Sequence, residues 1–112
     1  MEIKKAHGVI RSWYATVEGE SLPCVHEHWW IKGDMLRRYH DIPLRPSAHN
    51  DEFVAQIRKS KKVILTGSKP FSPLNPLPLE RAGYIAIWTV EDVEFDENGL
   101  RFKFADKVCN LK

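Results

Sequence analysis

The sequence predicts an α+β fold: a small, mixed, strongly bent sheet or pseudo-barrel of about five strands with two or so short helices, in one domain covering residues 1–112. Three observations point there. Residues 84–90, Tyr-Ile-Ala-Ile-Trp-Thr-Val, are apolar at both parities, as in a strand covered on both faces at the centre of a sheet or in the wall of a closed barrel. Asn98-Gly99 is a hairpin signal, because both residues accept the positive φ that a two-residue type I′ turn demands. The segment that begins near Asn50 carries helix punctuation at both ends.

In chain order, residues 9–17 read as an irregular strand carrying Trp13 and Tyr14, and residues 24–31 as another. A short helix is expected from Asp34, a cap after Gly33, to about Arg38, before Pro43 and Pro46 force extended chain. The next helix takes Asn50 or Asp51 as its cap and runs through Phe53, Val54 and Ile57. It places Asp51 and Glu52 in its first turn and Arg58 and Lys59 in its last, as the helix dipole prefers. Residues 62–66 form a short buried strand ended by Gly67. Between Ser68 and Arg81, Pro70, Pro73, Pro76 and Pro78 argue for a long loop, since neither a helix nor a central strand tolerates them. With Asn98 and Gly99 as its loop, the last hairpin pairs Asp96 with Arg101, Phe95 with Phe102, Glu94 with Lys103 and Val93 with Phe104. That register puts Val93, Phe95, Leu100, Phe102 and Phe104 on a core side and opposite charges on the wet side.

At 112 residues and 43% hydrophobic content, the chain can bury a core without disulfide or metal support. No run approaches the ~20 apolar residues of a membrane-spanning helix, and the start, Met1-Glu2-Ile3-Lys4-Lys5, is charged. A cytoplasmic location and no membrane partner are therefore expected. Two cysteines, Cys24 and Cys109, do not make a secreted disulfide framework and read as reduced thiols. The net charge of +2 falls short of a DNA-coating protein, but its distribution is uneven. Arg37, Arg38, Arg45, Arg58, Lys59, Lys61, Lys62 and Lys69 fill the middle of the chain, and Glu91, Asp92, Glu94, Asp96 and Glu97 lie beyond it. Taken alone, both runs read first as solvated faces, the alternative being one basic and one acidic surface.

Catalytic and metal chemistry find little footing. Alternation along a strand would point Cys24, His26 and His28 to one face, but at ~3.3 Å per residue the outer two lie ~13 Å apart. His26 and His28 would need His40 or His49 to complete a zinc site, and no cofactor is expected. The glutamate that follows a cupin's paired histidines is replaced by Trp29-Trp30-Ile31-Lys32. A nuclease strand needs an acid, a spacer and a lysine, and Arg101-Phe102-Lys103 supplies arginine where the metal-binding acid belongs. Large amphipathic rings, by contrast, are plentiful: Trp13, Tyr14, Trp29, Trp30, Tyr39, Tyr84 and Trp88. Aromatic rings beside cations are what base stacking next to a phosphate backbone requires.

The order strand, short helix, capped helix, Lys62-Val63-Ile64-Leu65-Thr66-Gly67, long loop, then the glycine-led strand Arg81-Ala82-Gly83-Tyr84-Ile85-Ala86-Ile87-Trp88-Thr89-Val90-Glu91-Asp92-Val93 resembles the PUA-like superfamily. Its EVE, YTH and ASCH branches are closest in style. The likeness spans roughly residues 50–104, where small sheets and barrels of this size are expected. It implies a compact barrel with flanking helices that binds RNA or DNA, sometimes through a modified or flipped base held against tryptophans. The Gly-x-Lys-x-x-Glu signature of ASCH domains is absent, so no catalytic residue carries over.

The sequence thus points to a nucleic-acid-binding domain rather than an enzyme. Trp29, Trp30 and Trp13 are the candidate stacking residues, and Arg58, Lys59, Lys61 and Lys62 the candidate phosphate contacts. A small-ligand or protein-interaction domain would use the same rings in a pocket without the basic cluster. A small hydrolase on the same scaffold would need a lysine and a carboxylate inside that pocket.

Overall fold

The computed structural model describes residues 3–8, 13–31, 37–72 and 75–111, with the backbone path alone over 68–82. Seven strands and one α-helix make up the described chain: β1 (Ile3–Lys4), β2 (Tyr14–Val17), β3 (Glu20–His26), β4 (Arg38–Asp41), α1 (Ala48–Ser60), β5 (Lys62–Ser72), β6 (Asn75–Asp96) and β7 (Gly99–Leu111), with a 3-10 turn at Glu27–Trp29. The expected count of five strands is two short. The additional ones are the two-residue β1 and the four-residue β4, neither long enough to show a period of its own.

The strands form a mixed sheet in the order β1-β7-β6-β5-β3-β2, with β4 pairing β7 off that path. β1–β7 and β3–β5 run parallel and the other pairs antiparallel. The sheet curls until its two ends meet. Just past β1, His7 exchanges two backbone hydrogen bonds of 2.8 Å with Thr16 of β2, which among the described residues is the β-bridge that pins the seam of this near-barrel.

Each strand along that path, or the chain next to it, sends small or branched side chains into the curl: Ala6, Ala15, Val17, Leu22, Cys24, Ile64, Ile87, Cys109 and Leu111. The pairing register sets Cys24, Ile64, Ile87 and Cys109 in one row across four adjacent strands. The two thiols are therefore three strand spacings apart, roughly 14 Å along the sheet. Both cysteines are buried and neither is in a disulfide. The outer face carries the larger core, where Phe53, Val54 and Ile57 of α1 cover Val25, Val63 and Leu65, and an aromatic set continues through Trp88, Tyr39, Phe102 and Phe104. Burial on both sides explains why residues 84–90 are apolar at both parities.

Several expected boundaries move. The strand expected over 24–31 ends at His26, so Trp29 and Trp30 do not alternate across one strand. Of the strand expected over 9–17, residues 9–12 lie outside the described part and Tyr14–Val17 is strand. Most of the helix expected from Asp34 also lies outside it. Its intended end does not, because Arg37 has a left-handed φ of 54° and Arg38 opens β4. The cap of α1 is Ser47, whose hydroxyl accepts from the Asn50 N–H, so the helix starts earlier than Asn50 or Asp51 would place it.

The proline-rich stretch expected as a loop is a β-hairpin arm. Its pairs include Ser68–Arg81, Lys69–Glu80, Pro70–Leu79 and Ser72–Asn75. A two-stranded ribbon turns half of its backbone N–H groups outward, and a proline at such a position breaks no ladder bond.

The last hairpin also departs from its expected register. Phe95 faces Leu100 and Glu94 faces Arg101, two residues away from the expected pairing. Gly99 takes φ 102° while Glu97 and Asn98 stay at negative φ. That is a type I turn followed by a bulge glycine instead of a type I′ turn. A two-residue shift leaves every side chain on its own face, so Leu100, Phe102 and Phe104 are still buried as expected.

Candidate functional site

Trp88 stands on β6 between two register shifts, facing Val63 of β5 and Lys107 of β7. Such bulges re-aim side chains and occur often beside functional sites. Here they turn the indole into a nest of rings. Trp30, held by a bridge to Tyr39 of β4, meets Trp88 edge-on at 5.3 Å and Phe104 at 4.5 Å. Behind them Tyr39 stacks on Phe102 at 4.4 Å and 11°.

Two cations cover the nest. The Arg37 guanidinium and the Lys107 ammonium each lie 5.7 Å from the centre of the Trp88 ring, within cation–π range. Arg37 is brought there by its left-handed backbone and by two ties to β7: its carbonyl accepts from the Phe104 N–H at 2.9 Å, and its Nη1 donates to the Ala105 carbonyl at 3.0 Å. Lys107 reaches Asn110 Oδ1 at 3.4 Å. Among the described residues neither cation has a carboxylate within ion-pair distance. Lys4, Lys62, Arg101 and Lys103 do, on Glu18, Glu20, Asp96 and Asp92 respectively. Trp88 is nine-tenths buried, and its Nε1–H has no acceptor among the described residues.

The sequence candidates divide. Trp30 is in the nest, half-buried. Trp29 leans edge-on against His28 at 4.7 Å. Trp13 packs edge-on against His49 and Phe53 of α1, both at 4.8 Å. Arg58, Lys59 and Lys61 are exposed at the other end of that helix, and His49 and Lys61 are roughly 18 Å apart at 1.5 Å per residue. Lys62 is tied to Glu20 at 3.4 Å. The expected union of tryptophans with the basic helix end is therefore not formed: none of these four cations stacks on a tryptophan. Arg37 and Lys107 take that place. Arg37 stood out in the basic run, but nothing in the sequence signals Lys107, whose position depends on the bulges around Trp88.

The acids do not gather into a surface of their own. The acids of β6 lie along the bases of β7, with Asp92 on Lys103 at 3.3 Å, and Glu94 and Asp96 on Arg101 at 3.4 and 2.8 Å. Asp96 has its carboxyl lowered to about 2, first by the hydrogen bonds from Arg101 and then by the Asn98 N–H. His26 closes β3 and His28 sits in the 3-10 turn, while His40 Nε2 lies 2.7 Å from the Asn98 carbonyl. Among the described residues no three His, Cys, Asp or Glu side chains converge as a metal site would require. No described helix is long and apolar enough to cross a membrane.

Compared with known proteins, the chain matches no family, no curated protein and no solved structure.

Proposed function

We propose that this domain binds nucleic acid, RNA or DNA, without catalysis, taking an unpaired base against Trp30 and the adjoining phosphates on Arg37 and Lys107. The observation that carries the reading is the pair of cations over Trp88, neither balanced by a carboxylate, above an indole N–H that lacks an acceptor. A half-buried ring beside two uncompensated cations suits a base and its backbone. A ligand oxygen reaching the Trp88 Nε1–H satisfies a donor that is otherwise costly to bury. Arg58, Lys59 and Lys61, exposed at the end of α1, extend the track for more phosphates. Membership of the PUA-like superfamily belongs to the same proposal, as does a preference for a modified or flipped base.

The test is fluorescence anisotropy with single-stranded, double-stranded and base-modified oligonucleotides at two salt concentrations. Replacing Arg37 and Lys107 together by alanine should weaken single-strand binding evenly across sequences. It should also flatten the salt slope by about 1.4, since each phosphate left without its cation removes ~0.7. Trp30→Ala should cost ~1–3 kcal/mol at an unchanged slope. An absence of binding to every oligonucleotide at low salt, where attraction is strongest, sinks the reading.

A further inference from the structure

Three donors without matched acceptors converge on one ring. Arg37 and Lys107 hold their charges 5.7 Å from the centre of the Trp88 indole, and the Nε1–H of that indole has no acceptor among the described residues. Lys107 faces Trp88 across the β6–β7 ladder, between two register shifts. Arg37 takes a left-handed φ of 54°, a conformation that costs a residue with a side chain energy, and is fixed to β7 through the Phe104 N–H and the Ala105 carbonyl. The tie to Ala105 leaves most of the guanidinium's N–H donors unspent. Asp92 and Glu94 of β6 are engaged with Lys103 and Arg101. Two like charges thus share one indole with no counter-ion among the described residues, an arrangement that repels itself until an anion joins it.

The number and depth of these donors select among phosphates. A diester inside a strand offers two free oxygens and a single negative charge. A monoester offers three strong acceptor oxygens and approaches two negative charges at neutral pH, which matches two cations and one N–H. Trp88 is nine-tenths buried and its Nε1 is buried with it. A ligand oxygen must therefore project beyond the rest of its molecule to reach that donor. The phosphate at the end of a strand projects in this way, whereas an internal diester carries chain on both sides.

We infer that the Trp88 site receives a phosphate monoester, the terminal phosphate of a nucleotide, with its oxygens on Arg37, Lys107 and the Trp88 Nε1–H and its base on Trp30. The inference rests on the nucleic-acid reading of this site and narrows it from any phosphate of the strand to the one at its end. A free mononucleotide carries the same group and is the other source.

The experiment is a titration of the ¹⁵N-labelled full chain with a single-stranded oligonucleotide bearing a 5′-phosphate, a 3′-phosphate or hydroxyls at both ends, and with uridine 5′-monophosphate against uridine. A terminal phosphate should tighten binding at least roughly ten-fold, the scale of one charge-assisted contact, and shift the Trp88 indole N–H resonance. Arg37→Gln with Lys107→Gln should abolish that gain. Lys107→Gln alone, an exposed change that leaves both ties of Arg37 in place, should already reduce it. Lys107→Arg should retain it, because the charge stays. Lys59→Gln should weaken every oligonucleotide alike and leave the ratio between phosphorylated and hydroxyl ends unchanged. A gain from the 5′- or the 3′-phosphate assigns the site to that end of a strand, and a gain seen with the mononucleotide alone assigns it to a free nucleotide. Oligonucleotides that bind equally well with and without a terminal phosphate, together with a monophosphate no tighter than uridine, overturn the inference and leave the nucleic-acid reading standing. A gain that survives in the double variant, or an indole resonance that does not move, overturns it as well. Failure of every oligonucleotide to bind removes the nucleic-acid reading, and the inference then stands only if the monophosphate outbinds uridine.

Discussion

Arg101 faces Glu94 across the β6–β7 ladder but grips its diagonal neighbour Asp96, through two hydrogen bonds of 2.9 and 2.8 Å. The same carboxylate accepts from the Asn98 N–H at 2.8 Å and so shapes the turn. One side chain thus joins the ion pair to the hairpin's conformation.

That junction makes the hairpin acid-sensitive. The Asp96 carboxyl is lowered from 3.8 to about 2. A group depressed on folding contributes stability that is fully present above its unfolded value, near 4, and is lost as pH falls toward 2. Thermal melts between pH 5 and 2 should therefore show the wild type losing stability more steeply than Asp96→Asn. The Asn98 amide should lose exchange protection over the same interval. Equal pH slopes for the two proteins would rule this linkage out.

Gly99 is the position in this hairpin that tolerates no side chain. Its φ is 102°, and a Cβ placed there would come within 2.3 Å of the Asp41 carbonyl oxygen and 2.9 Å of the Ile42 Cα. The obstruction is backbone, so it cannot swing aside. Gly99→Val is expected to cost about 2 kcal/mol or more in urea unfolding, with the loss centred where β4 meets β7. A cost within about 0.5 kcal/mol of zero would show that the turn relaxes without strain.

How much of this was legible in the sequence depended on whether a signal was local. The Asn98-Gly99 dipeptide marked the hairpin, but the turn type followed from Asp96 accepting the Asn98 N–H and from the close approach of Asp41 to Gly99, which is a contact with another strand. Register was therefore displaced by two residues while the buried face was kept. The prolines at 70 and 78 argue against a central strand, whereas the chain uses them in an arm with two open edges. The cations over Trp88 were illegible for a different reason. Lys107 reaches the ring because register shifts flank Trp88, and bulges leave no periodic trace in sequence.

The thiols give a test of the barrel's interior. Cys24 and Cys109 are each 1% exposed and are separated by Ile64 and Ile87 in the same row. Both should react with a thiol reagent only as fast as the domain opens, and both should titrate at once in denaturant. Adding a reductant should leave the melting temperature unchanged. Rapid labelling of either thiol in the folded protein would show that the His7–Thr16 bridge does not keep the seam closed.

The last prediction concerns the Trp88 Nε1–H, on which the functional reading leans most. In Trp88→Phe two effects oppose each other: the smaller ring forfeits some buried apolar area, and the orphaned donor, worth about 1–3 kcal/mol of unmet desolvation, disappears. The variant should therefore unfold in urea within about 1 kcal/mol of the wild type, well short of the roughly 3–5 kcal/mol typical when a buried tryptophan is cut back to alanine. Oligonucleotide binding should nevertheless fall at an unchanged salt slope, because what is removed is a neutral donor to the ligand and not a phosphate contact. A large drop in stability would mean that the N–H is satisfied in solution after all. Undiminished binding would mean that no ligand atom ever reaches it, and either result takes Trp88 out of the site.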